Sequence, residues 1–433
     1  MKPPMDAAMH LVSRAGGDLD FRERLLANPK KAVEEEFGVA LAEGHEIHVH
    51  EETYAATHFV LPPRSKLSEA ERKEARDGAA SLAFLRKTLH DPAPPARPPV
   101  SERERASRTA ATPQALAKAG RESIRRGLAF LESTIDENGA WHCIRFNVAN
   151  PDIPRHFEKS PFVSALCVLA LESCDEARAR AICASTRDYL AHTIEYPGLW
   201  RYYRHLPADL DSTALCSLAI GNHPWIFLGR NVPHVLANRD QEDRFTTWVL
   251  TDDEPDVVSP FRLEADPVVN ANVVAYLGDR PETRGAQRWL ESLIIEGDPK
   301  GLSKWYPDTV TIYYAMSRAM IRARPALDHL RPTMAGRIRA LDNDEGEFGN
   351  VLQTAQAVSA LYNIGGLESV DAKRLVERFM GSQHEDGSWP EPLAFGDQSL
   401  KWGAIGQIGH GSESLTSAFC IEALERLIEV LTS

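Results

Sequence analysis

The feature that most constrains this chain is a repeat in which a helix-forming stretch ends in a Gly-x-aromatic turn and a more apolar stretch follows. The clearest unit runs from Arg126-Gly127-x-x-Phe130-Leu131 through Gly139-x-Trp141 to the apolar run Pro161–Leu171. A second passes from Tyr189-Leu190 through Gly198-x-Trp200 to residues 211–220, and a third from Trp289-Leu290 by Gly301 and Trp305 to residues 309–320. The fourth has Gly346-x-Phe348 before residues 351–364, and the fifth has Gln383-x-x-x-Gly387-x-Trp389 before residues 413–427. The interval between Trp200 and Trp305 is about twice the usual one and holds a further apolar helix, Pro267–Leu277, ended by Gly278. The count is six inner helices with six outer partners. One helical hairpin cannot bury its apolar face alone, whereas stacked hairpins share a core and six close a ring. The expected fold is therefore mainly α, an (α/α)6 toroid, with no β-sheet after residue 113.

The Gly-x-Trp turn has a physical logic. Glycine supplies the backbone freedom that a helix C-terminus needs. Tryptophan brings a large apolar face to pin the turn against a neighbouring helix, and one N–H to satisfy. These tryptophans report the fold and say nothing about chemistry.

Two further zones precede the repeat. Residues 1–90 are charged and look like a small α+β domain: a helix over about residues 18–36, strands around 46–50 and 57–61, and a short helix over 67–75. The alternation Ile47, Val49 and Phe59, Leu61 is what argues for strands. Residues 91–113 are rich in proline and then charged, which reads as an extended, semi-rigid linker. The toroid takes residues 114–433.

Composition narrows the function. The formal charge is -13, from 62 acids against 49 bases, which argues against a nucleic-acid binder, since such proteins need a basic face. The six cysteines, Cys143, Cys167, Cys174, Cys183, Cys216 and Cys420, form no CxxC pair and mostly sit in apolar stretches. They read as reduced core thiols, consistent with a soluble, cytoplasmic chain. The longest apolar run is far short of a membrane span, so any membrane contact is peripheral.

The turns match the QW motif of squalene-hopene and related triterpene cyclases. The stretch 126–141 fits every motif position but the glutamine, which is Ile135 here, and 383–389 fits the second half. Residues 412–424 are similar to the inner helix that follows such a motif. Over residues 113–431 the chain thus resembles the squalene-hopene cyclase and protein prenyltransferase superfamily. The N-terminal zone resembles something else. Asp20-Phe21-Arg22-Glu23-Arg24-Leu25-Leu26-Ala27-Asn28-Pro29-Lys30, Phe37-Gly38-Val39 and Glu46-Ile47-His48-Val49-His50 are similar to the nitrile-hydratase-type leader of ribosomally made, modified peptides. Arg76-Asp77-Gly78 stands where such leaders carry a Gly-Gly cleavage site, and the hydratase cysteine cluster is missing.

In a ring of hairpins the inner-helix N-termini converge on one mouth, where free N–H groups and helix dipoles favour acids and anions. The candidates there are Asp209, Asp211, Ser212, Thr213, Asn270, Asn272, Asp308, Gln353 and Glu413, with Gln356 and Thr416 nearby. Each also suits an ordinary N-cap. Aromatic candidates for a cavity wall are Trp200, Tyr203 and Tyr313, with Tyr202, Trp225, Phe227, Trp305, Tyr306, Tyr314 and Trp402. The cyclase resemblance implies more for Asp209-Leu210-Asp211-Ser212-Thr213-Ala214. In family cyclases an Asp-x-Asp-Asp-Thr-Ala segment carries the proton donor on its middle Asp, which maps to Asp211, with Asp209 beside it. Ser212 replaces the last Asp. Protonating an alkene needs a carboxylic acid held protonated in an apolar site, and burial plus a neighbouring acid raises a carboxyl pKa.

The expectation is a terpene-cyclase-like enzyme acting on a hydrophobic, isoprenoid-type substrate, with no cofactor. The zinc site of prenyltransferases is not expected. No Asp-x-Cys matches it, and His142, His410 and Cys420 read as structural. A second reading stays open: a non-catalytic binding module, or a modification substrate, addressed by its leader-like domain to a maturation or export protein.

Overall fold

The computed structural model describes residues 11, 14–15, 18–38, 40, 47–49, 97, 112–148, 155–195, 197–203, 206–221, 231–250, 263–297, 299, 301–343, 348–367, 371–396 and 408–433. The expected strand at 57–61, the helix at 67–75, and Gly346, Trp225, Phe227 and Trp402 lie outside these residues. The chain divides into two compact units, one built on residues 1–80 and one on residues from 81 onward, apart from 195–197 and 251–259.

In the smaller unit the single helix expected over residues 18–36 is two helices, α1 (Leu19–Ala27) and α2 (Pro29–Phe37). Asn28 is the reason. It ends α1 in a non-helical conformation, and its side chain accepts from Lys31 N–H to cap α2. Pro29 follows at the first helical position, where its missing N–H costs nothing. Phe21, Leu25, Ala32 and Val33 form a small core against which Ile47 and Val49 pack. Residues 47–49 pack there without strand pairing, which corrects the expectation of a strand around 46–50.

The larger unit is a helical toroid. Its helices are α3 (Pro113–Thr134), α4 (Pro161–Leu171), α5 (Ala177–His192), α6 (Leu210–Ile220), α7 (Asn231–Ala237) and α8 (Pro267–Leu277). They continue with α9 (Arg284–Glu296), α10 (Thr309–Arg322), α11 (Arg331–Arg339), α12 (Val351–Asn363), α13 (Ala372–Ser382) and α14 (Glu413–Thr432). The even-numbered helices α4 to α14 are the inner ring. Each packs on the next, and α14 packs back on α4, so the ring is closed. The outer helices α5, α9, α11 and α13 contact inner helices beside them, and α3 packs along α14 to join the first hairpin to the last. The inner helices are flanked on every side and largely buried; every residue from Pro267 to Ala275 is buried.

All six inner helices begin with a side-chain cap: Ser160, Asp209, Asp266, Asp308, Asn350 and Ser412 each accept a hydrogen bond from a first-turn N–H. The Gly-x-Trp turns are equally regular. Trp141, Trp200 and Trp389 each donate their indole N–H to the carbonyl ten residues back, on Leu131, Leu190 and Phe379, at 3.0, 3.1 and 2.8 Å. Their backbone N–H groups donate to Ser164, Thr213 and Ser417 on the following inner helix.

One element departs from the all-helical expectation. A four-stranded antiparallel sheet, in the order β2-β1-β4-β3, joins β1 (His142–Asn147) and β2 (His156–Lys159) to β3 (Phe395–Gly396) and β4 (Ile408–Gly411). It pairs the loop after the first turn with the loop before the last helix. The β1–β4 ladder is a long-range contact created by ring closure, so no local pattern announces it.

Candidate active site

Asp211 sits at the second position of α6, and Asp209 at its cap. The cap position fixes what Asp209 can do. One carboxyl oxygen accepts from Ser212 N–H at 2.6 Å and the other from Tyr202 N–H at 2.8 Å, so both are spent on backbone. Burial pushes its pKa up to about 7, with the nearby Asp211 adding to the rise. Asp211, one turn face away, is spared this duty. Its oxygens accept from Asn272 Nδ2 at 2.7 Å and from the Tyr306 hydroxyl at 2.5 Å. It is 8% exposed, and burial raises its pKa against the pull of those two donors and of Arg318. Burial and donation therefore oppose each other: one favours the acid, the other the carboxylate.

Asn272 and Tyr306 stand in the wall of a small cavity of about 30 Å³. Aromatic faces from Tyr306, Tyr314, Phe395 and Phe419 line it, with Leu166, Val268, Leu352 and Leu415. The rings are set edge to face: Tyr314 on Phe419 at 5.2 Å, and Phe162 behind Phe395 at 5.1 Å. Thr311 and Gln356 add a polar pair, hydroxyl to amide carbonyl at 2.9 Å. Asn272 Oδ1 and Arg318 Nη1 are buried with no hydrogen-bond partner. Behind Phe395 lies a second polar cluster, in which Glu158 accepts from Tyr202 at 3.1 Å and pairs with His410 at 2.9 Å.

The other sequence candidates are placed elsewhere. Trp200 is buried between helices, and Thr213 both donates to and accepts from its backbone. Asn270 clasps the backbone of Phe245 in the same way, at 2.8 and 2.9 Å. Tyr313 donates to the Gly297 carbonyl at 3.2 Å, and Tyr203 is half-buried in the turn after Trp200. Asp308 caps α10, and Gln353 forms a capping box with Asn350. Glu413 is held by Arg97 from the proline-rich segment, two contacts at 2.7 Å, while Arg97 also reaches Asp386 and Ser388. These eight residues, like Asp209, Asp211 and Ser212, are not among the lining residues. Ser212 is fully buried in the first turn of α6, beside the Asp209 carboxyl. Arg318, Phe395 and Phe419 were missed. Only Arg318 had a signal, as a lone charge inside the apolar stretch 309–320.

All six cysteines are buried and free. Among the described residues no helix is long and apolar enough to cross a membrane.

No protein-family profile matches the sequence, and no curated protein is similar to it by sequence. Solved structures do resemble the toroid. The type II terpene cyclase MstE from Scytonema, in complex with its substrate geranylgeranyl dihydroxybenzoate, aligns at TM-score 0.56 and 15% identity, over 72% of this chain and 98% of that one. Apo MstE aligns at TM-score 0.55 and 16% identity, over 73% and 99%. A protein from Actinoplanes aligns at TM-score 0.57 and 16% identity, over 72% and 99%. At such identities the likeness speaks for the fold alone.

Proposed function

We propose that the toroid is a terpene-cyclase-like enzyme that starts cyclisation of an isoprenoid or similar alkene by protonation from Asp211. The observation that carries this reading is the position of the Asp211 carboxyl: buried, and one hydrogen bond behind an aromatic cavity wall through Asn272 and Tyr306. Burial keeps the proton on. When the alkene's π electrons take that proton, a carbocation and the Asp211 carboxylate result. Tyr306 and Asn272 then donate to the new anion, so they stabilise the product of proton transfer more than the acid. The unpartnered Asn272 Oδ1 leaves the amide free to turn over and accept from the protonated carboxyl. The rings of Tyr306, Tyr314, Phe395 and Phe419 offer π faces to the cation without a strong nucleophile. A fold neighbour solved with a geranylgeranyl-bearing substrate supports an isoprenoid-type substrate class.

The test is Asp211→Asn, which keeps shape and the hydrogen bond to Tyr306. Incubated with a panel of linear polyprenyl substrates, the variant should form cyclic product roughly 10²–10⁴-fold more slowly than wild type, since a positioned acid contributes about that much. Its melting temperature should stay near wild type. Equal rates would sink the reading. So would a wild type that converts no panel member, and the binding-module reading, addressed by the leader-like residues 1–90, would take its place.

A further inference from the structure

The cavity holds a group that protonation chemistry does not use. Arg318, on α10, is the one charged residue among the described lining residues. It is 8% exposed, and its Nη1 has no hydrogen-bond partner. Its guanidinium carbon stands 4.9 Å from the centre of the Tyr314 ring. It forms no ion pair with any described carboxylate. The two acids near it are otherwise engaged: Glu422 accepts from the Tyr314 hydroxyl at 3.0 Å, and Asp211 from Tyr306 and Asn272. Burial pushes both acids toward their neutral forms, which leaves the guanidinium without a full counter-charge. A buried cation with an empty donor is costly unless a ligand completes it. An empty Arg318 would also repel a carbocation formed in the same cavity, and an anion seated on it removes that repulsion.

We infer that Arg318 is the receptor for a carboxylate at one end of the substrate, so that the natural ligand is an unsaturated apolar chain ending in a carboxylic acid. This rests on the cyclase reading of the same cavity. The planar guanidinium fork matches a carboxylate edge. One cation balances one negative charge. A diphosphate would bring at least two charges into a wall that offers, beyond Arg318, only neutral donors such as Gln356 and Thr311.

The experiment is calorimetric binding of farnesoic acid, methyl farnesoate and farnesyl diphosphate to the full chain. Wild type should bind the acid at least about tenfold tighter than the ester, the usual worth of a charge-assisted hydrogen bond. Arg318→Met should bring that ratio close to one, and Arg318→Lys should keep part of it. Should Arg318→Met fail to fold, the wild-type ratio and Arg318→Lys decide. Equal binding of acid and ester, tighter binding of the diphosphate than the acid, or no binding of any probe overturns the inference. Asp211→Asn run alongside should keep the acid preference. Arg318-dependent acid binding without any cyclisation overturns the cyclase reading and upholds this subsite. Cyclisation of the ester as fast as the acid does the reverse.

Discussion

Asp209 and Asp211 show how position within one helix turn divides two identical side chains. The cap residue spends both oxygens on backbone N–H groups, whereas the residue two places on is bound by side chains from two other inner segments. Tyr306 is the sharper probe of that difference, because its hydroxyl favours the Asp211 carboxylate while its ring lines the cavity. Tyr306→Phe removes only the donor, so the carboxyl pKa should rise further. In the mechanism we propose Asp211 acts protonated, so activity falls as pH rises through its pKa. The alkaline limb of the pH–rate profile should therefore move to higher pH, with the plateau rate down roughly tenfold for one lost hydrogen bond to the forming anion. An unmoved limb would mean that Asp211 is not the titrating acid.

At the scale of elements, the turn and the cap are what repeat. Each Gly-x-Trp turn ties its indole to the carbonyl ten residues back and its backbone to the next inner helix. Gly387 adopts φ +91°, and a Cβ there would run into the Arg126 carbonyl. Gly387→Ala should thus cost more than about 1 kcal/mol of stability, from positive φ and the clash together. Denaturant titration measures it. A neutral result would show that the turn can shift without loosening the packing of α13 on α3.

Over the whole molecule, buried acids set how stability follows pH. Asp209, Asp266 and Glu391 all have pKa values pushed up to about 7 by burial. Their unfolded counterparts titrate near pH 4. Between roughly pH 4 and 7 the native chain holds protons that the unfolded chain has released, so stability falls as pH rises through that window and levels off above it. Asp266→Asn removes one such group and should flatten the slope by up to about 1.4 kcal/mol per pH unit. Guanidinium midpoints at pH 5 and pH 7.5 read this directly. A variant with the wild-type slope would show that Asp266 ionises as freely in the fold as outside it.

The sequence by itself determined the repeated helical hairpins. Helix count, hairpin order and the Gly-x-Trp turns are local patterns, written in apolar runs and in glycines whose conformations only glycine accepts. It also marked Asp211 and Asn272, since acids and amides inside apolar runs are visible one residue at a time. What it left open is what depends on closure. The β1–β4 ladder, the clamp of Arg97 on Glu413, and the meeting of Asn272 and Tyr306 on Asp211 join residues 61 to 316 positions apart. The same limit explains why Trp200, Asn270, Asp308 and Gln353 looked like cavity residues. A polar or aromatic side chain at a helix start serves the backbone or the cavity according to which way it turns. That choice is made by neighbours that arrive only when the ring shuts.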